Sequence, residues 1–129
     1  MQQADKQKYL TIALYVFGII YLIGVPVLMM GLEAPGWTWT PRQPEYEQMI
    51  MGVYATLGVF LIMAAKNPPE HASLIWFTVW SNIVHGGIML VHSIIDETER
   101  ANLAGDVPAL FIVAAILWYL MPRQGAASQ

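Results

Sequence analysis

The chain has 129 residues, 57% of them hydrophobic and only 12% charged, with a formal net charge of −3 and a mean hydropathy of +0.49. Such a balance points to an integral membrane protein and argues against nucleic-acid binding, which needs a basic surface. No cysteine is present, so disulfides, thiolate zinc sites, iron–sulfur clusters and thiol catalysis are all excluded.

The first apolar run covers residues 9–30 and follows the short basic stretch Lys6-Gln7-Lys8. It is longer than a signal-peptide core and no A-x-A site follows it, so it reads as a retained span. Pro26 has no amide proton to give the carbonyl of Leu22, which predicts a bend near the outer end of this helix. The connection 31–48, "GLEAPGWTWTPRQPEYEQ", holds Pro35, Pro41 and Pro44 with Trp37 and Trp39 and suits an irregular interfacial segment. Glu45 and Glu47 stand two residues apart, face different ways on any helix, and read as wet loop acids rather than a hydrolytic pair.

A second apolar run, 49–65, carries the small residues Gly52, Ala55 and Gly58. Next, "NPPEH" places Asn67 at an N-cap, Pro68 at the first helical position and Glu70 at the third. That punctuation predicts a third helix over 71–95, built around an apolar run at 74–95. Asp106 and Pro108 punctuate the fourth helix, 103–121, where Ala109, Ala114 and Ala115 offer a close-packing surface.

These elements predict an all-α fold, a four-helix transmembrane bundle forming a single integral membrane domain over 1–129. Four spans bring both termini to one side. Lys6, Lys8, Lys66 and Arg123 lie on that side and only Arg42 and Arg100 on the other, so the termini are expected in the cytoplasm of a bacterial inner membrane, with loops 31–48 and 96–106 outside. The acids Glu33, Glu45, Glu47, Asp96, Glu97, Glu99 and Asp106 gather at the outer end and would attract cations or a basic partner. Aromatic belts are expected from Tyr9, Trp76, Trp118 and Tyr119 at the inner boundary and from Trp37, Trp39 and Tyr46 at the outer one.

The third helix carries the chemistry. At about 100° per residue, Thr78, Ser81, Asn82, His85, Met89, His92, Asp96 and Glu99 fall along one face. Ionisable groups at membrane depth mark candidate sites, which singles out Asn82, His85, Met89, His92 and Asp96. His85 and His92 are separated by roughly 10.5 Å along a straight helix, so one metal ion cannot take both from it. A ligand set would need another helix or subunit. With Met29, Met30, Met49, Met51 and Met89 as soft donors it would suit copper, and with a symmetry-related His85 it would suit haem. The same residues could instead form a proton or ion ladder from Asp96 through His92, His85 and Asn82 to Thr78. The reading with the broadest support is adhesive: Asn82 and His85 hydrogen-bond to Tyr15, Tyr54 or Thr56, and Gly86 and Gly87 let a helix approach.

The stretch "MGVYATLGVFLIMAAKNPPEHASLIWFTVWSNIVHGGIML", residues 51–90, resembles short bacterial four-span proteins of uncharacterised families, loosely similar to the DoxX-like group. The resemblance implies a bacterial inner-membrane bundle and no activity that can be assigned to His71, Asn82 or His85. No complete catalytic set is present. The expected role is therefore a non-enzymatic accessory subunit, assembled in the bilayer with itself or with other membrane subunits, with cofactor binding or ion coupling at His85 and His92 as the alternative.

Overall fold

The computed structural model describes residues 2–31 and 44–122; the predicted features at Glu33, Pro35, Trp37, Trp39, Pro41, Arg42 and Arg123 lie outside them. Among the described residues the chain is helical, with no strand. Helix α1 spans Gln3–Ile19, α2 Pro44–Ala65, α3 Ala72–Ile95 and α4 Asp106–Leu120. Short 3₁₀ segments, Pro68–His71 and Glu97–Ala104, precede α3 and α4. Three helical stretches among the described residues, Gln3–Met29, Glu45–Ala65 and Pro68–Ile95, are long and apolar enough to cross a membrane, and the bent pair Glu97–Ala104 and Asp106–Leu120 is so only when taken together as one span.

Helix ends depart from the apolar runs for local reasons. Helix α1 begins six residues before its run, because nothing in Gln3–Lys8 breaks a helix and Lys6 lies over the Tyr119 ring of α4, 4.6 Å from its centroid. At Pro26 the helix widens rather than stops. Residues Ile20–Gly24 and Val27–Gly31 are π turns on either side of it, and the Val25 N–H donates to the Ile20 carbonyl five residues back. A π turn lets an N–H reach one residue further back, a usual repair where a proline interrupts the ladder.

Helix α2 begins at Pro44, since a proline suits a first turn and Glu45 and Glu47 favour the positive end of the helix dipole. The predicted capping box at 67–70 is not formed. The Asn67 side chain caps nothing, and the turn closes instead through the Glu70 N–H on the Asn67 carbonyl at 3.1 Å. Consecutive prolines hold this turn in 3₁₀ form, so α3 proper starts at Ala72. The fourth helix likewise starts later than 103, because Gly105 adopts φ −110°, ψ −107°, which is not helical, and bends the chain by 40°.

The four helices pack around one apolar core, most closely as the pairs α1 with α2 and α3 with α4. Leu10, Leu14, Leu61, Ala64, Ile75, Val79 and Leu117 fill it at the end that carries the 68–71 turn. Small residues make the close contacts. A Cβ built on Gly58 would lie 2.6 Å from the Gly18 carbonyl oxygen, and one on Gly18 2.8 Å from the Gly58 oxygen, so here the two backbones touch. Gly86 admits the Phe111 ring of α4, whereas Gly52 and Gly87 face open space. Outward-facing positions are apolar on all four helices, as Ile12, Val16, Val53, Phe60, Phe77, Val84, Ile88 and Ile112 show. Thr78, Asn82, Ser93 and Glu47 are buried instead, an inside-out distribution that fits lipid as the surrounding medium. Trp118 and Tyr119, with Tyr9 beside them in the same end of the fold, are exposed, as Tyr46 is at the other.

Candidate functional site

The predicted polar face of α3 divides in two. Asn82 and Met89 are buried and His85 is half-buried, all turned toward α1, α2 and α4. His92 and Asp96 are exposed, and Ser93 takes the buried position at that level. Asp96 closes a turn: its Oδ1 accepts from the Thr98 hydroxyl at 2.7 Å and the Thr98 N–H at 3.0 Å, capping the 3₁₀ segment. Those bonds, the hydroxyl's first, hold the Asp96 carboxyl below the usual carboxylate range. Thr78 returns its hydroxyl to the Leu74 carbonyl of its own helix at 2.9 Å. The residues of the expected ladder thus point to different surroundings.

Inside, two polar pairs tie α3 to its neighbours. The Asn82 side-chain amide donates to the Tyr21 hydroxyl at 2.6 Å, joining α3 to the π turn after α1. The Tyr54 hydroxyl and His85 Nδ1 lie 2.5 Å apart, joining α2 to α3. When Tyr54 donates, neutral His85 carries its proton on Nε2, so the hydroxyl sets the tautomer. The Tyr21 and Tyr54 rings meet edge to face, with centroids 5.2 Å apart and planes at 64°. Of the partners expected for Asn82 and His85, only Tyr54 is used. Tyr15 is exposed, and Thr56 bonds the Gly52 carbonyl of its own helix.

Beside these pairs lies a cavity of about 370 Å³, among the described residues, between α1, α2 and α4 with His85 reaching in from α3. Its walls are apolar: Phe17, Val25, Ile50, Met51, Leu110 and Val113. Its polar groups are Tyr21, Tyr54, His85, Glu47 and Asp106, and it reaches the surface beside the exposed Ile20 and Ile112. Glu47, only 2% exposed, is the residue that the sequence reading misses. With α2 starting at Pro44, Glu47 lies within the helix and faces inward, while Glu45, two residues before it, is exposed. Tyr21 is missed too. The π turn that sets its direction has one sequence signal, Pro26 five residues on.

Met29 and Met51 share the cavity with His85, whereas Met49 is exposed; Met30's side chain is outside the described residues. Among the described residues no group of three or more His, Asp or Glu side chains is placed to hold a metal ion. His92 borders a separate shallow recess with Ile83, Gly87 and Ile88. The two histidines therefore serve different surfaces.

A model of the family of unknown function DUF6632 matches residues 4–129, nearly the whole chain. The chain belongs to DUF6632. No curated protein and no solved structure matches it.

Proposed function

We propose that the chain is a non-enzymatic, multi-pass protein of the bacterial inner membrane that binds a small molecule in the cavity between α1, α2 and α4. One observation carries this reading: Glu47, Tyr54, His85 and Asp106 converge, from three helices, on one apolar-walled space inside the protein. Apolar walls with a few convergent polar groups are the usual make-up of a small-molecule site, and ionisable groups at membrane depth are costly unless they serve one. Tyr54 and His85 orient the ligand's polar end, and the apolar wall takes its body.

The termini face the cytoplasm in this proposal, supported by Lys6, Lys8 and Lys66 gathering at one end. A chain without native cysteine makes the test direct, since single cysteines placed at Gln7 and Glu97 report sidedness by labelling in intact cells. Labelling of Gln7→Cys from outside would reverse the orientation.

Native mass spectrometry of gently extracted protein tests the ligand reading. A bound small molecule is expected on the wild type and not on Ala109→Leu, whose added bulk enters the cavity. Identical ligand-free spectra would count against it. The same spectra test assembly with itself or with another membrane subunit, which the small size and the apolar outer faces support, and a lone monomer would remove that proposal. Copper has one supporting observation, the sharing of the cavity by Met29, Met51 and His85, and elemental analysis of the same preparation decides it.

A further inference from the structure

We infer that the cavity's ligand is a neutral, bilayer-dissolved carbonyl compound that enters sideways, between α1 and α4. The inference rests on the cavity reading above and names its ligand class and route.

The route follows from where the cavity opens. Among the described lining residues, Ile20 in the π turn after α1 and Ile112 on α4 are exposed, while the others are buried or half-buried. Ile112 follows Asp106, the first residue of α4, by two turns, and Ile20 precedes Met29, where its helical stretch ends, by rather more. At 1.5 Å per residue the opening therefore lies about 9–13 Å in from that end of the molecule. With Asp106 at the polar boundary, such a depth is well inside a hydrocarbon core about 30 Å thick. The neighbouring outward side chains agree, since Val16, Ile23 and Ile116 are exposed and apolar. A molecule that reaches this mouth is already dissolved in lipid, where a fixed charge is costly.

The polar end follows from which groups are left to meet it. Tyr21 is engaged by the Asn82 amide, and Glu47 is engaged as well. The Asp106 carboxyl accepts from the N–H groups of Asp106 and Val107 at the start of α4, and its Oδ1 is buried away from the open space. The Tyr54–His85 pair differs. With His85 neutral, the pair holds two polar protons; one lies between the two residues, and the other has no partner among the described residues, whichever way the bond runs. When Tyr54 donates to Nδ1, that spare donor is Nε2–H. A carbonyl oxygen accepts it, whereas an ammonium brings donors alone and a hydrocarbon leaves it unmet. Phe17, Val25, Leu110 and Val113 take the apolar body, and Met29 and Met51 adapt to its shape, since thioether chains fill irregular gaps.

Three compounds with one carbon skeleton separate the carbonyl from the body: 5-phenylpentan-2-one, pentylbenzene and 5-phenylpentan-2-amine. Each is titrated into the full chain in phosphatidylcholine nanodiscs, with empty nanodiscs subtracted and affinities referred to the lipid-dissolved concentration. The ketone is expected to bind at least about threefold more tightly than pentylbenzene, as one net hydrogen bond allows, and the amine more weakly than the ketone. The NMR signal of His85 Nε2 should move with the ketone and stay in place with pentylbenzene. Tyr54→Phe combined with His85→Phe should bring ketone and hydrocarbon within about 1.5-fold of each other while leaving the hydrocarbon's affinity unchanged, which also shows that the variant is folded. For the route, a bulky maleimide on Ile112→Cys should slow ketone uptake at least about threefold, and the same group on Val53→Cys, exposed on α2, should not. If pentylbenzene or the amine binds as tightly as the ketone, or if the Nε2 signal does not respond, the carbonyl assignment falls and the cavity stands. Equal uptake by the two maleimide adducts overturns the route. If none of the three binds the wild type, or if Ala109→Leu binds them as well as the wild type does, the cavity reading falls and takes the assignment with it.

Discussion

The two ends of the molecule are built on opposite terms. At the end holding the 68–71 turn, Leu10, Leu14, Leu61, Ala64, Ile75 and Leu117 interlock with scarcely any exposed surface among them. At the other end the helices enclose a cavity, and the interior holds an acid from α2, an acid from α4, a histidine and two tyrosines. The first half is filled by aliphatic side chains, its recess of about 540 Å³ lies beside Leu10, Ala72 and Leu120, and its buried hydroxyl, Thr78, is satisfied within its own helix. The second half differs in what faces its cavity, since ionisable groups stand among the apolar walls there. A surrounding lipid sharpens this contrast, because hydrophobicity alone does not drive helices together in hydrocarbon and close fit must do so instead.

Substitutions in the packed half should cost the most. Leu14→Ala leaves a void where nothing is exposed. Lipid tails are as apolar as leucine, so the transfer part is small and the cavity part remains, a loss of about 2 kcal/mol in reversible unfolding in mixed micelles. Met51→Ala, beside the existing cavity, should cost less than half as much, and equal losses would erase the distinction between the two ends.

Gly58→Ala comes next. Its new Cβ meets the Gly18 oxygen and the Leu22 nitrogen, both backbone atoms, so the helices must part at a cost of about 1–3 kcal/mol. The control is Gly87→Ala, which meets nothing and should stay within about 0.5 kcal/mol of the wild type. Tyr54→Phe removes the His85 partner. Interhelical side-chain hydrogen bonds in membranes average about 0.6 kcal/mol, so stability should fall little while affinity for a small molecule bound in the cavity falls at least about threefold. A large loss of stability with affinity intact would make the pair adhesive, as the sequence alone suggests.

The smallest effect concerns Asp96. Thr98→Ala removes the hydroxyl bond that helps hold the Asp96 carboxyl below its ordinary range, and NMR titration should show that carboxyl moving up toward the usual value. Because folding depresses this pKa, its contribution to stability is present at neutral pH and is lost as pH falls through the folded value. Ligand binding should not change in that variant.

The helices were legible from hydropathy because lipid-facing surface must be apolar along its whole length; the runs at 9–30, 49–65 and 74–95 fall on helical residues, and the run at 103–121 does so from Asp106 to Leu120. Their ends were not, because polar residues such as Gln3–Lys8 or Glu45–Gln48 carry no hydropathy signal yet continue a helix freely. His85 was legible as an ionisable group at depth, and Tyr54 as one of its candidate partners. Glu47 was not, because an acid beside a proline-rich stretch looks solvated until the helix start is known. His92 shows the converse: periodicity places it in line with His85, but the buried line of α3 runs through Asn82, Gly86, Met89 and Ser93, and His92 falls outside it.

The contact between Gly18 and Gly58 bears on the cavity as well as on stability. One turn beyond it along α2 stands Tyr54, and beyond Gly18 on α1 the π turns begin. Two chains that touch at the main chain have no side chain left to adjust their separation at that level, so the contact acts as a fulcrum. The width of the chamber beyond it follows from the angle at which α1 and α2 diverge, and the extra residue in each π turn resets the direction of α1 just where that divergence starts.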